Sequence, residues 1–182
     1  MLFRSVRSKG ESRQATGAAA NNLDLYQVNC TYYDALGQRD AEYLIARALQ
    51  FFAPGIPQVY YVGLLAGTND LDLLHRTGVG RDINRHYYSC QEIDSELTRP
   101  VVQSLFDLMR FRNAHPAFAG EFHLLPSADD QIHIEWRNSG RWARLEVELN
   151  AMTATIGHST TDSDGRECRF TVAPGLFKEL AR

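Results

Sequence analysis

Apolar residues in the stretch 40–52 recur at helical spacing. Leu44, Ala48, Phe51 and Phe52 form one stripe, with Ile45 and Leu49 beside it. Asp40 can cap this helix, and Pro54, Gly55 and Pro57 stop it. The run 58–62 is different: Val59, Tyr60, Tyr61 and Val62 are consecutive and β-prone, which predicts a strand buried on both faces. Val28, Thr31, Tyr32 and Tyr33 give the stretch 23–33 an extended character as well. Residues 64–89 show no period and read as one long loop, rich in glycine, charge and aromatics and ending on Tyr87 and Tyr88. Pro100 suits the first turn of a second helix, which carries Val101, Leu105, Leu108 and Met109 on one side with Arg112 at its edge and ends near Asn113.

Beyond Phe118 the period drops to two. Ile132, Ile134 and Trp136 alternate with polar residues, Asn138-Ser139-Gly140 turns, and Ala143, Leu145, Val147 and Leu149 alternate again. This predicts an antiparallel hairpin with one wet face, followed by short strands near 152–156 and 169–172 around a turn-rich 160–165. A boundary near Ala117 therefore separates an α/β part, 1–117, from a small all-β part, 118–182.

Composition narrows the chemistry. The 182 residues are 44% hydrophobic and 23% charged with a net charge of −3, so the chain is globular and has no basic footprint for nucleic acid or an anionic membrane. Its longest apolar run, 56–67, falls short of the ~20 residues that span a bilayer. Cys30, Cys90 and Cys168 are distant and odd in number, which argues against a disulfide framework and for a reducing, cytoplasmic setting. The first residues lack an apolar segment of the secretory type. His75, His86 and His115 lack metal-ligand spacing, and TGVGRD has no Lys-Ser/Thr to make it a P-loop. Neither a metal nor a cofactor is expected. Arg85 and His86 are read as braces of the long loop.

Four segments carry a family resemblance: NLDLYQVNCTYYDALG, FFAPGIPQVYYVGLLAGTNDL, GRDINRHYYS and RPVVQSLFDLMRFRN. From about Gly10 to Phe118 the chain resembles the sucrose phosphorylases of the α-amylase superfamily. The resemblance implies the last part of a (β/α)8 barrel followed by a small antiparallel β domain. Residues 58–62 would be the last barrel strand, and 64–89 the loop leaving it at the catalytic face. Such enzymes move the glucosyl unit of sucrose to phosphate with retention, releasing fructose and glucose 1-phosphate. Retention needs two carboxyl groups about 5–5.5 Å apart. The family's nucleophile, acid/base and transition-state stabiliser belong to earlier barrel strands. Asp24, Asp70 and Asp82 do not match those motifs, so the catalytic set is expected to lie outside this chain.

By the same resemblance Asp24, Tyr26 and Gln27 belong to a mobile acceptor-site loop that contacts fructose or phosphate, and Arg81 contacts the bound glucosyl unit. A carboxylate and an amide can hold sugar hydroxyls, a tyrosine hydroxyl can donate to phosphate, and a guanidinium offers fixed donors. Taken without the resemblance, Asp24 reads as a turn residue, Tyr26 as a core aromatic, and Arg81 as a solvated arginine or a salt-bridge partner of Asp82. Two further readings stay open. One is a phosphorylase acting on glucosylglycerate or sucrose 6-phosphate, sharing the glucosyl half and differing in the acceptor. The other is a non-catalytic module that binds carbohydrate or a partner. A homodimer of the full-length enzyme is compatible with the resemblance. Because the likeness starts in mid-barrel, the chain is expected to be a truncated product, inactive and marginally stable alone.

Overall fold

The computed structural model describes residues 29–160 and 167–175. These residues form two compact units. One holds residues 29–39 and Val59–Val102; the other holds Asp40–Gln58 with residues 103–160 and 167–175, so the division falls inside a helix.

In the first unit α1 (Tyr32–Ala35) opens on Thr31, whose hydroxyl accepts from the Asp34 amide, and ends in a left-handed turn at Gly37 and Gln38. Tyr32 and Tyr33, expected in an extended segment, are therefore helical. A threonine three residues before an aspartate can satisfy an amide that a helix leaves open, and this local cap overrides the β-propensity of the tyrosines.

The stretch 58–62 is not a strand. The backbone is extended as far as Tyr60 (φ −68°, ψ 149°) and then turns into α3, Tyr61–Leu64. Val62 is buried, while Tyr60 is 55% exposed and Tyr61 lies open to solvent. A β-prone run becomes a strand only through ladder partners, and the sheet of the described residues pairs none with it. Its amide bonds go to a helical turn instead, Leu64 to Tyr60 and Leu65 to Tyr61.

Residues 64–89 are not one loop either. Asp70 caps α4 (Leu71–Thr77), which Gly78 closes in the left-handed conformation at φ 66°. A 3₁₀ turn, Gly80–Asn84, follows. Ser89 and Glu92 then form a capping box at the head of α5, Cys90–Glu96. Both cap signals stand in the sequence; the segments they open are too short for a hydrophobic period to reveal. Leu74 and Ile83 bury against one another, with Leu71 packed beside them.

The second unit has the predicted hairpin at its centre. The sheet runs β1 (Glu121–Leu125), β2 (Gln131–Asn138), β3 (Arg141–Glu148), β4 (Thr153–Ser159), β5 (Glu167–Thr171), each antiparallel to the next. Ser139 and Gly140 make the β2–β3 turn with φ of 48° and 81°, the double positive φ of a type I′ turn. Strand β1 adds an edge that the alternation did not announce: Phe122 pairs opposite Trp136, their rings 5.5 Å apart.

Helix α2 (Asp40–Phe52) lies against β2, β3 and β4 with Tyr43, Leu44, Ile45, Ala48, Phe51 and Phe52 buried. Its last turn leaves carbonyls without helical partners, and the buried Trp136 indole N–H donates 2.8 Å to one of them, Phe52 O. Helix α6 (Pro100–Ala114) starts on its proline as expected and leads into a 3₁₀ turn, Pro116–Ala119. Phe118 meets Phe52 edge-on at 5.1 Å, and Phe111 meets Phe118 and Phe170 in the same way. The Arg112 guanidinium lies 4.3 Å from the Phe118 ring centre and 5.1 Å from that of Trp136, and burial holds its pKa below the usual value.

Buried His115 closes this unit. Its Nε2–H donates 2.9 Å to Ser159 O, and its Nδ1 accepts from the Ala117 amide at 3.3 Å. That pattern requires the neutral ring. Burial lowers its pKa against the pull of the Ser159 carbonyl, and the charges of His158 and Arg141 lower it further.

Two outcomes follow. Trp136→Phe leaves Phe52 O without its donor and should cost about 1–3 kcal/mol in urea denaturation. The unfolded chain takes up a proton on His115 near pH ~6.5 while the folded chain resists it, so this residue's stability contribution is present above that pH and lost as pH falls. The stability difference between wild type and His115→Gln should shrink on acidification; a difference that grows would contradict the neutral assignment.

Candidate functional site

An open concavity of about 650 Å³ lies within the first unit. Tyr33, Gln38, Asn69, Asp70, His86, Tyr88, Glu92 and Arg99 are among its lining residues.

Two carboxylates organise its walls. Buried Asp34 accepts from the Thr31 hydroxyl at 2.9 Å, the Gln38 amide group at 2.6 Å and the Asn69 backbone amide at 2.5 Å. Asn69 returns the link through its side-chain oxygen, which accepts from Thr31 N at 2.8 Å. Asp70 works at both ends of the former loop. Its amide donates to Ile83 O at 2.7 Å, one carboxylate oxygen accepts from the Leu73 amide at 2.7 Å, and the other meets His86 Nδ1 at 2.6 Å.

His86 also points its Nε2 at Glu92, 3.4 Å away. Glu92 is itself fixed by the Ser89 amide and hydroxyl, both at 2.7 Å. Partial burial pushes the His86 pKa down, but the hydrogen bond and charge of Asp70 and then those of Glu92 outweigh it, and the net shift is upward. Burial pushes Asp70 up, and the bonds from His86 and Leu73 with the charges of His86 and Arg76 carry it below the usual carboxylate range.

Aromatic rings back this network. Tyr61 donates its hydroxyl to His86 O at 2.8 Å, and the Tyr88 ring stands 4.5 Å from the imidazole. Tyr88 is pushed up to about 12, first by burial and then by the charge of Glu96, so it stays a neutral phenol. Arg99 pairs with Glu96, donates to the carbonyls of Leu65 and Ala66, and sits over the Tyr33 ring. Gly67 is required where it stands: a Cβ there would collide with the Tyr88 hydroxyl and the Val62 side chain.

Arg81 occupies the 3₁₀ turn and is exposed. It is not among the residues that line the concavity. Asp24, Tyr26 and Gln27 lie outside the described residues. His86 braces the loop as expected, whereas Arg85 contributes a backbone bond to Asp82 O. Sequence reasoning left Asp34, Asn69, Asp70, Tyr88, Glu92 and Arg99 without roles. The Asp70 cap and the Ser89–Glu92 box were the signals that could have located two of them. Among the described residues no group of three or more His, Cys, Asp or Glu is arranged to hold a metal ion, and no helix is long and apolar enough to cross a membrane.

No protein-family model matches the chain. It is 61% identical over 150 residues to a sucrose phosphorylase of Agrobacterium vitis, covering 82% of this chain and 31% of that protein. It is 59% identical over 143 residues to a sucrose phosphorylase of Bifidobacterium adolescentis, covering 79% and 28%. The solved structure of a sucrose 6F-phosphate phosphorylase from Thermoanaerobacter thermosaccharolyticum superposes with a TM-score of 0.77 at 38% identity, covering 88% of this chain and 36% of that one. By name, all three are phosphorylases of sucrose or a sucrose phosphate. The chain is a sucrose phosphorylase homologue. It spans about 30% of the length of these curated relatives.

Gly67→Ala should destabilise the chain by about 1–3 kcal/mol, the usual result of forcing an atom into filled space. Tyr88→Phe removes one of the two side-chain obstacles, so the double variant should lose less than the sum of the singles. Strict additivity in a denaturation cycle would show that the Tyr88 hydroxyl is not the obstacle.

Proposed function

We propose that this chain supplies the last part of the catalytic barrel, residues 1–117, and the C-terminal β domain, 118–182, of a cytoplasmic sucrose phosphorylase. The observation that carries the reading is 61% identity over 150 residues to a sucrose phosphorylase. The share of those relatives that it spans fits a part of the enzyme rather than a self-sufficient catalyst.

In the reaction proposed for the complete enzyme, an acid protonates the fructosyl oxygen while a carboxylate attacks the glucosyl anomeric carbon. The C–O bond to fructose breaks and a glucosyl ester forms. A phosphate oxygen then displaces the carboxylate to give glucose 1-phosphate, and two inversions make net retention. No acidic residue of this chain is assigned to either carboxylate. Its own contribution is binding: Arg81 donates to hydroxyls of the glucosyl unit, while Asp24, Tyr26 and Gln27 handle fructose on departure and phosphate on arrival. An arginine at the sugar need not neutralise a charge to matter, because its rigid fork fixes which hydroxyl oxygens it meets.

The acceptor is the finer point. A relative named sucrose 6(F)-phosphate phosphorylase is 45% identical over 152 residues, below the sucrose phosphorylases of Agrobacterium vitis and Bifidobacterium adolescentis, and this favours unphosphorylated sucrose. Phosphorolysis by the complete enzyme, comparing sucrose with sucrose 6-phosphate, tests it. A higher kcat/KM on the phosphorylated donor would reverse the assignment.

The purified 182-residue chain should show no phosphorolysis of sucrose; turnover by the chain alone would overturn the division of labour. In the complete enzyme, Arg81→Ala should impair every glucosyl donor, whereas Gln27→Ala should act chiefly on fructose and phosphate. A hydrogen bond to a sugar is worth about 0.5–1.5 kcal/mol when neutral and about 1.5–3 when charged. Equal, donor-independent losses in both variants would contradict the two roles.

A further inference from the structure

Arg81 itself is exposed; the turn that carries it is anchored by buried Ile83 against Leu74 and by what closes the segment's ends. Asp70 does this on one side, through its amide to Ile83 O at 2.7 Å and its carboxylate to the Leu73 amide and His86. His86 does it on the other, reaching Asp70 with Nδ1 at 2.6 Å and Glu92 of α5 with Nε2 at 3.4 Å. We propose that His86, held by Asp70, is a positioning residue for Arg81: it ties the base of the 71–85 segment to the head of α5, and only its doubly protonated form closes both arms.

The two arms differ chemically. A neutral imidazole carries one N–H and one lone pair. Asp70 accepts two hydrogen bonds and holds the proton on Nδ1, so a neutral His86 keeps this arm. Its Nε2 lone pair then faces the Glu92 carboxylate across 3.4 Å, acceptor against acceptor. Glu92 cannot easily turn away, because Ser89 holds its other oxygen through amide and hydroxyl. Loss of the proton therefore opens the arm to α5 and leaves the arm to Asp70.

The surroundings favour the charged state of His86 and raise its pKa. Asp70 and Glu92 are the anions facing the ring, with Glu96 beyond Tyr88. Arg76 faces Asp70, Arg99 is paired with Glu96, and the Tyr61 and Tyr88 phenols are neutral, each pushed up to about 12. The device serves the proposed glucosyl contact of Arg81 and rests on that reading for its purpose, though not for its existence.

Nuclear magnetic resonance of the full chain from about pH 5 to about pH 9 tests it across the histidine range. The Arg81 and Glu92 backbone amides should follow the His86 ring with one shared midpoint, above the ordinary ~6.5. His86→Gln should abolish that titration at Arg81. Glu92→Gln, which retains a capping-box residue, should shrink it by offering a donor to the neutral ring; this variant carries the test if His86→Gln fails to fold. An Arg81 amide that stays flat while His86 titrates, or one that still titrates in His86→Gln, overturns the proposal. The glucosyl reading fails separately, if Arg81→Ala in the complete enzyme leaves both KM and kcat for every donor unchanged while the shared midpoint is observed.

Discussion

Asp70 is where the first unit closes on itself. Its amide reaches Ile83, one carboxylate oxygen caps α4 and the other holds His86. Groups far apart in sequence are joined through a single residue, which adds polar closure to a segment whose own core is Leu74 and Ile83 with Leu71 beside them. The order depends on charge. An ionised Asp70 accepts from both an amide and an imidazole, and a carboxylate acceptor makes stronger bonds than a neutral one. Around this point some of the wall is placed by local rules, a threonine cap at α1 and a capping box at α5.

The second unit depends on apolar burial, and its polar groups are arranged to permit it. The Trp136 indole satisfies a carbonyl at the end of α2, so helix and sheet join without stranding either group. His115 does the same for Ser159 and must be neutral to do so. Glu135 is 1% exposed at its side chain, between Arg137 and Arg144. Burial pushes its pKa up, and the two guanidiniums bring it below the usual range. His86 and His115 thus respond to acid in opposite senses. His86 gains its second arm on protonation, whereas His115 loses the tautomer its partners require.

The family relation and the geometry answer different questions. Identity to sucrose phosphorylases supplies the reaction class to propose. It does not say what holds the segment that carries Arg81; the hydrogen bonds of Asp70 and His86, with the burial of Leu74 and Ile83, do. Those bonds join residues 13 and 16 positions apart, too far for a helical or strand period to connect them.

Local signals decided much of this chain before any packing. Leu44, Ala48, Phe51 and Phe52 mark α2, Pro100 starts α6, and Ile132 to Leu149 alternate through a hairpin whose Ser139-Gly140 turn suits positive φ. Each is a rule read within one element, where neighbours along the chain are also neighbours in space. The cap at Asp70 and the box at Ser89 belong to the same class, although they open segments of only seven residues. Tertiary structure decided the rest. Val59 to Val62 are β-prone, but without a ladder partner among the described residues they turn at Tyr60 into α3. Strand propensity is realised only between segments, since one strand cannot satisfy its own amides. The joining of Asp34 to Asn69 and of Asp70 to His86 is likewise a property of the folded chain, because it takes packing to bring a carboxylate to donors that no sequence spacing predicts.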